Sequence, residues 1–280
     1  MVNTIVNPIL ARFFTQRLLW QVREGPSRTY GWVALCNASF LAELPAIGIT
    51  GVVYYLLWYF LTGLPLGEAA GYTFLMVVIY EIFEMTLGLL VTSMSPDLKV
   101  AGLVLVFLVT TFNWFNGIVV PYQQIQVFWR SWASFAPSFN PTGSSNSNLT
   151  SQLYYINPLT YLFGGMIIAA DGGIDVICDP SDLLTFPPPE GQTCGEYASK
   201  WAQSVQANLT NPLSTGFCHV CQYTTGTQYL AQFNLHNGQL GNNMWAYLAV
   251  FLLFTLSNIV FFYWFTWLTR IKGWKLRLFF

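Results

Sequence analysis

The sequence predicts an all-α integral membrane protein: four transmembrane helices, a re-entrant helical segment and a disulfide-bonded extracellular loop. Only 8% of its 280 residues are charged, against about 25% in a soluble domain. Hydrophobic residues make up 54%, and the mean hydropathy is +0.47. The apolar residues also fall in runs near the ~20 needed to cross ~30 Å of hydrocarbon. With 11 basic and 12 acidic residues, the formal net charge of −1 reflects scarcity of charge. That composition excludes a water-soluble enzyme, a disordered chain and a basic nucleic-acid binder, and names the lipid bilayer as partner.

Residues 1–30 read as cytosolic. Between Pro8 and Glu24, Leu10, Phe14, Leu18 and Val22 recur every four residues, with Arg12, Gln16 and Arg23 on another face. That is the period of an amphipathic helix, read either as lying on the inner leaflet or as transmitting force from a cytosolic partner. Gly25-Pro26-Ser27 ends it, and Tyr30 and Trp32 anchor the interface. A span follows over 31–61, interrupted by Glu43 and Pro45, and another over 69–93 holds Glu81 and Glu84. The third, 99–120, has no ionisable group beyond Lys99. Residues 121–170 read as an extracellular insertion and re-entrant helices, because Asn157-Pro158 and Gly164-Gly165 break the last apolar run. Residues 171–243 form a polar cysteine-containing loop, 244–269 a Phe- and Trp-rich span, and 270–280 a basic tail.

Basic residues set the orientation. Nine of the 11 lie before the first span, between the second and third, or after the fourth; only Arg130 and Lys200 lie on the other side. The positive-inside rule places the nine in the cytosol and, with them, both termini. The opening Met-Val-Asn-Thr lacks a basic n-region, so no cleavable signal peptide is expected. Cys178, Cys194, Cys218 and Cys221 share the exterior loop and are disulfide candidates, with three pairings open. A zinc site is disfavoured, since Cys218-x-x-Cys221 has no second knuckle to match it. Asn148 and Asn208 head glycosylation sequons on the same side, whereas Asn37-Ala-Ser sits at the cytosolic edge.

Glu81 and Glu84, at i and i+3, share a helix face in mid-span with no Lys or Arg at comparable depth. Charge there is expensive unless neutralised, turned inward or met by another chain. The two acids read either as a proton relay or polar substrate contact, or as neutral acids hydrogen-bonded between helices. The third span ends in Thr110-Thr-Phe-Asn-Trp-Phe-Asn-Gly-Ile-Val-Val-Pro121. Its amides, hydroxyls and rings fit either a cavity for amphipathic molecules or interhelical polar contacts. GxxxxGK[ST], GxGxxG and HExxH are absent from the chain, and neither His219 nor His236 has an evident nucleophile partner. No catalytic residue, metal site or cofactor is expected within these residues.

Several segments in order resemble one family. Arg17-Leu-Leu-Trp-Gln-Val-Arg-Glu-Gly-Pro-Ser-Arg-Thr-Tyr-Gly-Trp32 is similar to a stretch of the fungal pleiotropic-drug-resistance ABC transporters of the ABCG subfamily. Ala42-Glu-Leu-Pro45, Phe115-Asn-Gly-Ile-Val-Val-Pro121, Phe128-Trp129 and Asn157-Pro-Leu-Thr-Tyr-Leu162 match later landmarks colinearly. Phe217-Cys-His-Val-Cys-Gln-Tyr223, followed by Tyr229-Leu230, resembles the last extracellular loop of the second transmembrane domain. The resemblance implies a partial ABCG-type transmembrane domain whose four spans are helices 3 to 6. It makes Arg12, Arg17, Arg23 and Glu24 part of a coupling helix that touches a nucleotide-binding domain. Phe107, Thr111, Asn113, Phe115 and Asn116 become lining of a substrate cavity, and Ile118 and Val119 an apolar plug. For the loop it implies nested bridges, Cys178–Cys221 and Cys194–Cys218.

The implied function is the membrane part of an ATP-driven exporter of hydrophobic drugs or lipids in the plasma membrane. ATP and Mg would sit on nucleotide-binding domains outside this sequence, and a second transmembrane domain would complete the pathway. The family has only a few residues where 133–152 stand here, and helices 1 and 2 have no counterpart, so a fragment is expected. The rival readings are a stand-alone four-span scaffold or adhesion protein with a disulfide-bonded ectodomain, and a proton-coupled carrier using Glu81 and Glu84.

Overall fold

The computed structural model describes residues 2–118, 156–231, 233, 235 and 243–271. The expectations for Val119, Asn148, Arg130, His236, the 121–155 insertion and the tail beyond 271 lie outside the described residues. Two compact units emerge: residues 1–166 with 244–280, and residues 167–243.

The first unit is helical. α1 (Val2–Leu19) runs into a π-helical turn, Trp20–Glu24. α2 (Trp32–Thr62) starts after extended Gly31 and stops at Gly63, whose φ of 69° is the left-handed cap only glycine adopts without strain. α3 (Glu68–Met94) ends because Ser95 precedes Pro96 and is forced extended. One residue later Asp97 caps α4 (Leu98–Trp114), its carboxylate accepting the Val100 N–H at 2.8 Å. α5 (Pro158–Asp171) begins in this unit at the expected Asn157-Pro158 break, where Asn157 Oδ1 accepts the Leu159 N–H. α8 (Met244–Thr266) closes the unit with a second π turn, Trp267–Ile271.

α3 is the hub. Two thirds of its apolar window is buried, compared with 22% for α2 and for α8. Ile9 and Phe13 of α1, Cys36 and Ile47 of α2, Met85 and Leu89 of α3 and Phe262 of α8 form one core around it. Tyr55, Tyr59 and Val77 form a second. Three helices, α2, α3 and the stretch Met244–Thr269, are long and apolar enough to cross a membrane. The expected third span is shorter: α4 has 17 residues, about 26 Å at 1.5 Å per residue, and gives way to a turn at Phe115–Ile118. α5, at 14 residues, is about 21 Å long and short of a span.

α1 departs from the expected surface helix. Its buried stripe is Val6, Ile9, Leu10, Phe13, Arg17 and Trp20, while Leu18 and Val22 are exposed. A stripe spaced by four drifts around a helix that repeats every 3.6 residues. The face that packs steps by three and four, which brings Phe13 and Arg17 inward and turns Leu18 and Val22 out. The helix lies against α3, α4 and α2.

Gly165 of α5 marks the tightest approach in this unit. A Cβ there would overlap the Tyr72 hydroxyl and stand 2.7 Å from Met76 Cε and 3.1 Å from Tyr247 Cβ. Tyr72 cannot swing aside freely, because its hydroxyl donates to the Met244 carbonyl at 2.7 Å. Gly165→Ala is expected to destabilise the helical unit by about 1–3 kcal/mol through overpacking. Gly102→Ala, with nothing within 4 Å of its Cβ position, should be neutral or stabilising. Thermal unfolding in detergent compares the two; equal melting temperatures would refute the close-packing argument.

The second unit is a three-stranded antiparallel sheet under one helix. β1 (Leu184–Phe186) and β2 (Asn208–Leu209) flank β3 (Cys218–Cys221), with Leu184 and Leu209 both opposite Val220. α6 (Cys194–Ser204) opens on a capping box between Thr193 and Glu196 and buries Cys194, Ala198 and Ala202. Phe186 meets Tyr197 and Trp201 edge-on. α7 (Gly226–Ala231) follows. Disulfides join Cys178 to Cys221 and Cys194 to Cys218, the nested pairing the resemblance implies.

Candidate functional site: an arginine clamp and a buried carboxyl pair

Proline chemistry builds the clamp. In an α-helix the Thr92 carbonyl would accept the N–H of residue 96, but that residue is proline and has none. Arg17 supplies the missing donors. Its Nη1 donates to the carbonyls of Thr92 and, at 3.1 Å, Ser95, and its Nη2 reaches the Pro96 carbonyl at 3.4 Å. The guanidinium carbon sits 4.4 Å from the centre of the Phe14 ring, and Arg17 is 1% exposed. A cation at this end of α3 also matches the negative pole of the helix dipole.

The other expected coupling residues gather at the same end. Exposed Arg12 pairs with the buried Glu43 of α2 at 3.2 Å. Glu24 accepts the Tyr30 hydroxyl, and that hydrogen bond to a carboxylate holds Tyr30 above the usual phenol range. Trp20 Nε1 donates to the Tyr30 carbonyl at 3.2 Å. Arg23 is exposed. Open grooves of about 420 and 450 Å³ flank Tyr30, one against Ala34, Ala38 and Ala42, the other against Trp20, Arg28 and Trp32. Asn37 accepts from Tyr263, and Thr269 donates to the Ser93 carbonyl. The end of α1, the start of α2, the end of α3 and the end of α8 therefore meet at one end of the helical unit.

Midway along α3, Glu81 and Glu84 are 0% and 3% exposed. Among the described residues no oxygen of either accepts a well-formed hydrogen bond. Glu81 packs against Gly51 of α2, whose Cβ position is 3.5 Å from its Cγ. Glu84 lines a void of about 10 Å³ with Val6, Leu105 and Phe112, room for about one water. Tyr80, one turn earlier, interacts with Glu84 without closing that geometry. Enclosure on this scale leaves no room for a partner from another chain, one of the three ways sequence reasoning offered to satisfy these acids.

The five expected cavity residues do not share one environment. Phe107 is 70% exposed and Asn113 is exposed beside Trp114. Thr111 donates to the Phe107 carbonyl and Asn113 Nδ2 to the Val109 carbonyl, so both turn a donor back onto their own helix. Phe115 is half-buried, and Asn116 is buried, its Oδ1 accepting the Ile118 N–H at 2.9 Å. The open surface of α4 carries Leu103, Val106, Phe107 and Trp114 beside the polar Thr110 and Asn113. Sequence reasoning missed Asn157, whose amide donates to the Phe112 carbonyl at 2.7 Å and ties α5 to α4; its place beside Pro158 was the available signal.

Similarity to known proteins agrees with this architecture. The sequence profile of the ABC-2 type transporter family matches residues 1–149. "ABC multidrug transporter atrF" of Aspergillus fumigatus is 34% identical over 274 residues, 97% of this chain and 16% of that protein. "ABC multidrug transporter H" of the same fungus is 32% identical over 257 residues, covering 91% of this chain and 16% of the relative. "Brefeldin A resistance protein" of Schizosaccharomyces pombe is 29% identical over 266 residues, with the same coverages. This chain spans about 16% of the length of these relatives. A profile covering more than half the chain, on an apolar helical unit, shows that the protein belongs to the ABC-2 type transporter family.

Proposed function

We propose that the chain is membrane-spanning machinery of an ATP-driven exporter that moves hydrophobic compounds across the plasma membrane. Its similarity to multidrug transporters along nearly its whole length carries that reading. The helical unit crosses the bilayer four times, with α4 as one of the spans, α5 re-entrant and the cysteine-bearing unit outside. Residues 1–30 and 270–280 face the cytosol. Support comes from the nine basic residues on that side and from the contacts that bring α1, α2, α3 and α8 together at one end.

In this arrangement nucleotide-binding domains, which hold ATP and Mg, press on the segment from Arg12 to Trp32. Arg17 passes that motion to the α3–α4 turn. The α4 face with exposed Phe107 and half-buried Thr111, one turn apart, contacts substrate opposite a second transmembrane domain, with Asn113 on another side of the helix and Phe115 and Asn116 beyond its end. Ile118 stands at the outer end of that face.

The test is efflux of a hydrophobic fluorescent dye from vesicles holding the chain assembled with nucleotide-binding domains. Phe107→Ala is expected to change the ranking of transported dyes several-fold while ATP turnover persists. An unchanged ranking across a panel of dyes would remove α4 from the pathway, and no ATP-dependent efflux from the assembly would overturn the exporter reading.

A further inference from the structure

We propose that Asn208 carries an N-linked glycan. The inference rests on the placement of the second unit outside the cytosol and goes beyond the transport reading. Asn208-Leu209-Thr210 is a sequon, but two other sequons occur in the chain, and the fold separates them.

Asn208 lies on β2, an edge strand of the sheet, in extended backbone opposite Cys221. Its side chain is exposed. Thr210 sits beside it at the surface, its hydroxyl donating to the His219 carbonyl at 3.0 Å. Asn37 offers the opposite environment. It is locked in α2, its Oδ1 accepts from Tyr263, and Ser39 of its sequon is buried with the hydroxyl donating to Leu35. A sequon inside a helix, with both side chains engaged, cannot present an extended Asn to a transferase. Asn148 lies outside the described residues.

The reaction needs one co-reactant, a lipid-linked oligosaccharide pyrophosphate. Asn208 Nδ2 attacks the anomeric carbon of the first sugar, the N–C bond forms, and the C–O bond to pyrophosphate breaks. The lipid pyrophosphate leaves with the bonding electrons, and one Nδ2 proton passes to a base. The product places a bulky, hydrated group on an open sheet edge, where it also blocks strand addition by another chain.

The experiment expresses the full chain in eukaryotic microsomes with Asn148→Gln in place, and reads the gel shift on amidase deglycosylation. One glycan is expected, lost on Asn208→Gln and on Thr210→Ala and retained with Thr210→Ser. A shift that survives Asn208→Gln overturns the inference. A parallel chain carries Glu190→Asn with Gln192→Thr, which builds a sequon in an exposed turn of the same unit. If only that sequon is modified, Asn208 is refuted while the exterior placement stands. If neither is modified, the placement falls with it.

Discussion

Arg17→Met is expected to lower the stability of the helical unit by about 2–4 kcal/mol. Methionine keeps an apolar stem against Phe14 but removes the donors to Thr92, Ser95 and Pro96. Two of those contacts are buried, and a buried acceptor left without a partner costs about 1–3 kcal/mol. Part of the loss is returned, because burying a guanidinium is itself expensive and methionine is not. Lysine brings a compact charge with rotatable donors instead of a planar fork, so Arg17→Lys should recover about half. Arg23→Met, at an exposed position on the same segment, should change nothing measurable. Thermal denaturation in lipid nanodiscs ranks the four proteins. Equal melting of Arg17→Met and Arg23→Met would show that the α3 terminus does not depend on the clamp.

The clamp also shows where sequence reading stops. Apolar runs located α2, α3 and α8, and Asn157-Pro158 located the start of α5, because length and proline act locally and leave marks in the chain. The face that each helix buries was less legible. α2 and α8 are apolar around most of their circumference, so no stripe distinguishes lipid from protein, and the repeat of Leu10, Phe14, Leu18 and Val22 held only at its start, where Leu10 is buried while Leu18 and Val22 are exposed. Arg17 looked like one more basic residue at a membrane edge. Its role depends on Pro96, 79 positions away, and only the tertiary fold brings an orphan carbonyl to a cation. The spacing of Glu81 and Glu84 showed that they share a face, but their complete enclosure came from Gly51 and Val6 on other helices. Of the cavity residues, Phe107 and Thr111 stand one turn apart on α4, whereas Phe115 falls past the helix end. The i, i+4 spacing could not reveal that Asn116 also falls past the helix end and turns inward.

Reduction of both disulfides is expected to unfold the second unit and leave the helical unit intact. A cross-link removes loop-closure entropy from the unfolded chain in proportion to the logarithm of loop length. Cys194–Cys218, separated by 24 residues, is worth about 3.5 kcal/mol on that scale. Cys178–Cys221, separated by 43, would be worth about 4 kcal/mol alone. The bridges are nested, so with the inner one closed the outer one closes a ring of only about 20 residues, worth about 3 kcal/mol. Losing either bridge should therefore cost about 3 kcal/mol, and losing both about 7 kcal/mol. A unit confined to residues 167–243 has little else to draw on, since a core of this size rarely supplies more than about 3–5 kcal/mol. Cys218 and Cys221 also sit at the two ends of β3, the strand on which both β1 and β2 depend. Cys194→Ser with Cys218→Ser should thus retain a protease-resistant second unit at low temperature, whereas the four-serine variant should be cut throughout 172–243. Limited proteolysis with mass spectrometry reads the outcome. A four-serine protein that resists cleavage as the parent does would mean that Val220, Ala198 and Phe186 hold the sheet without help from the bridges.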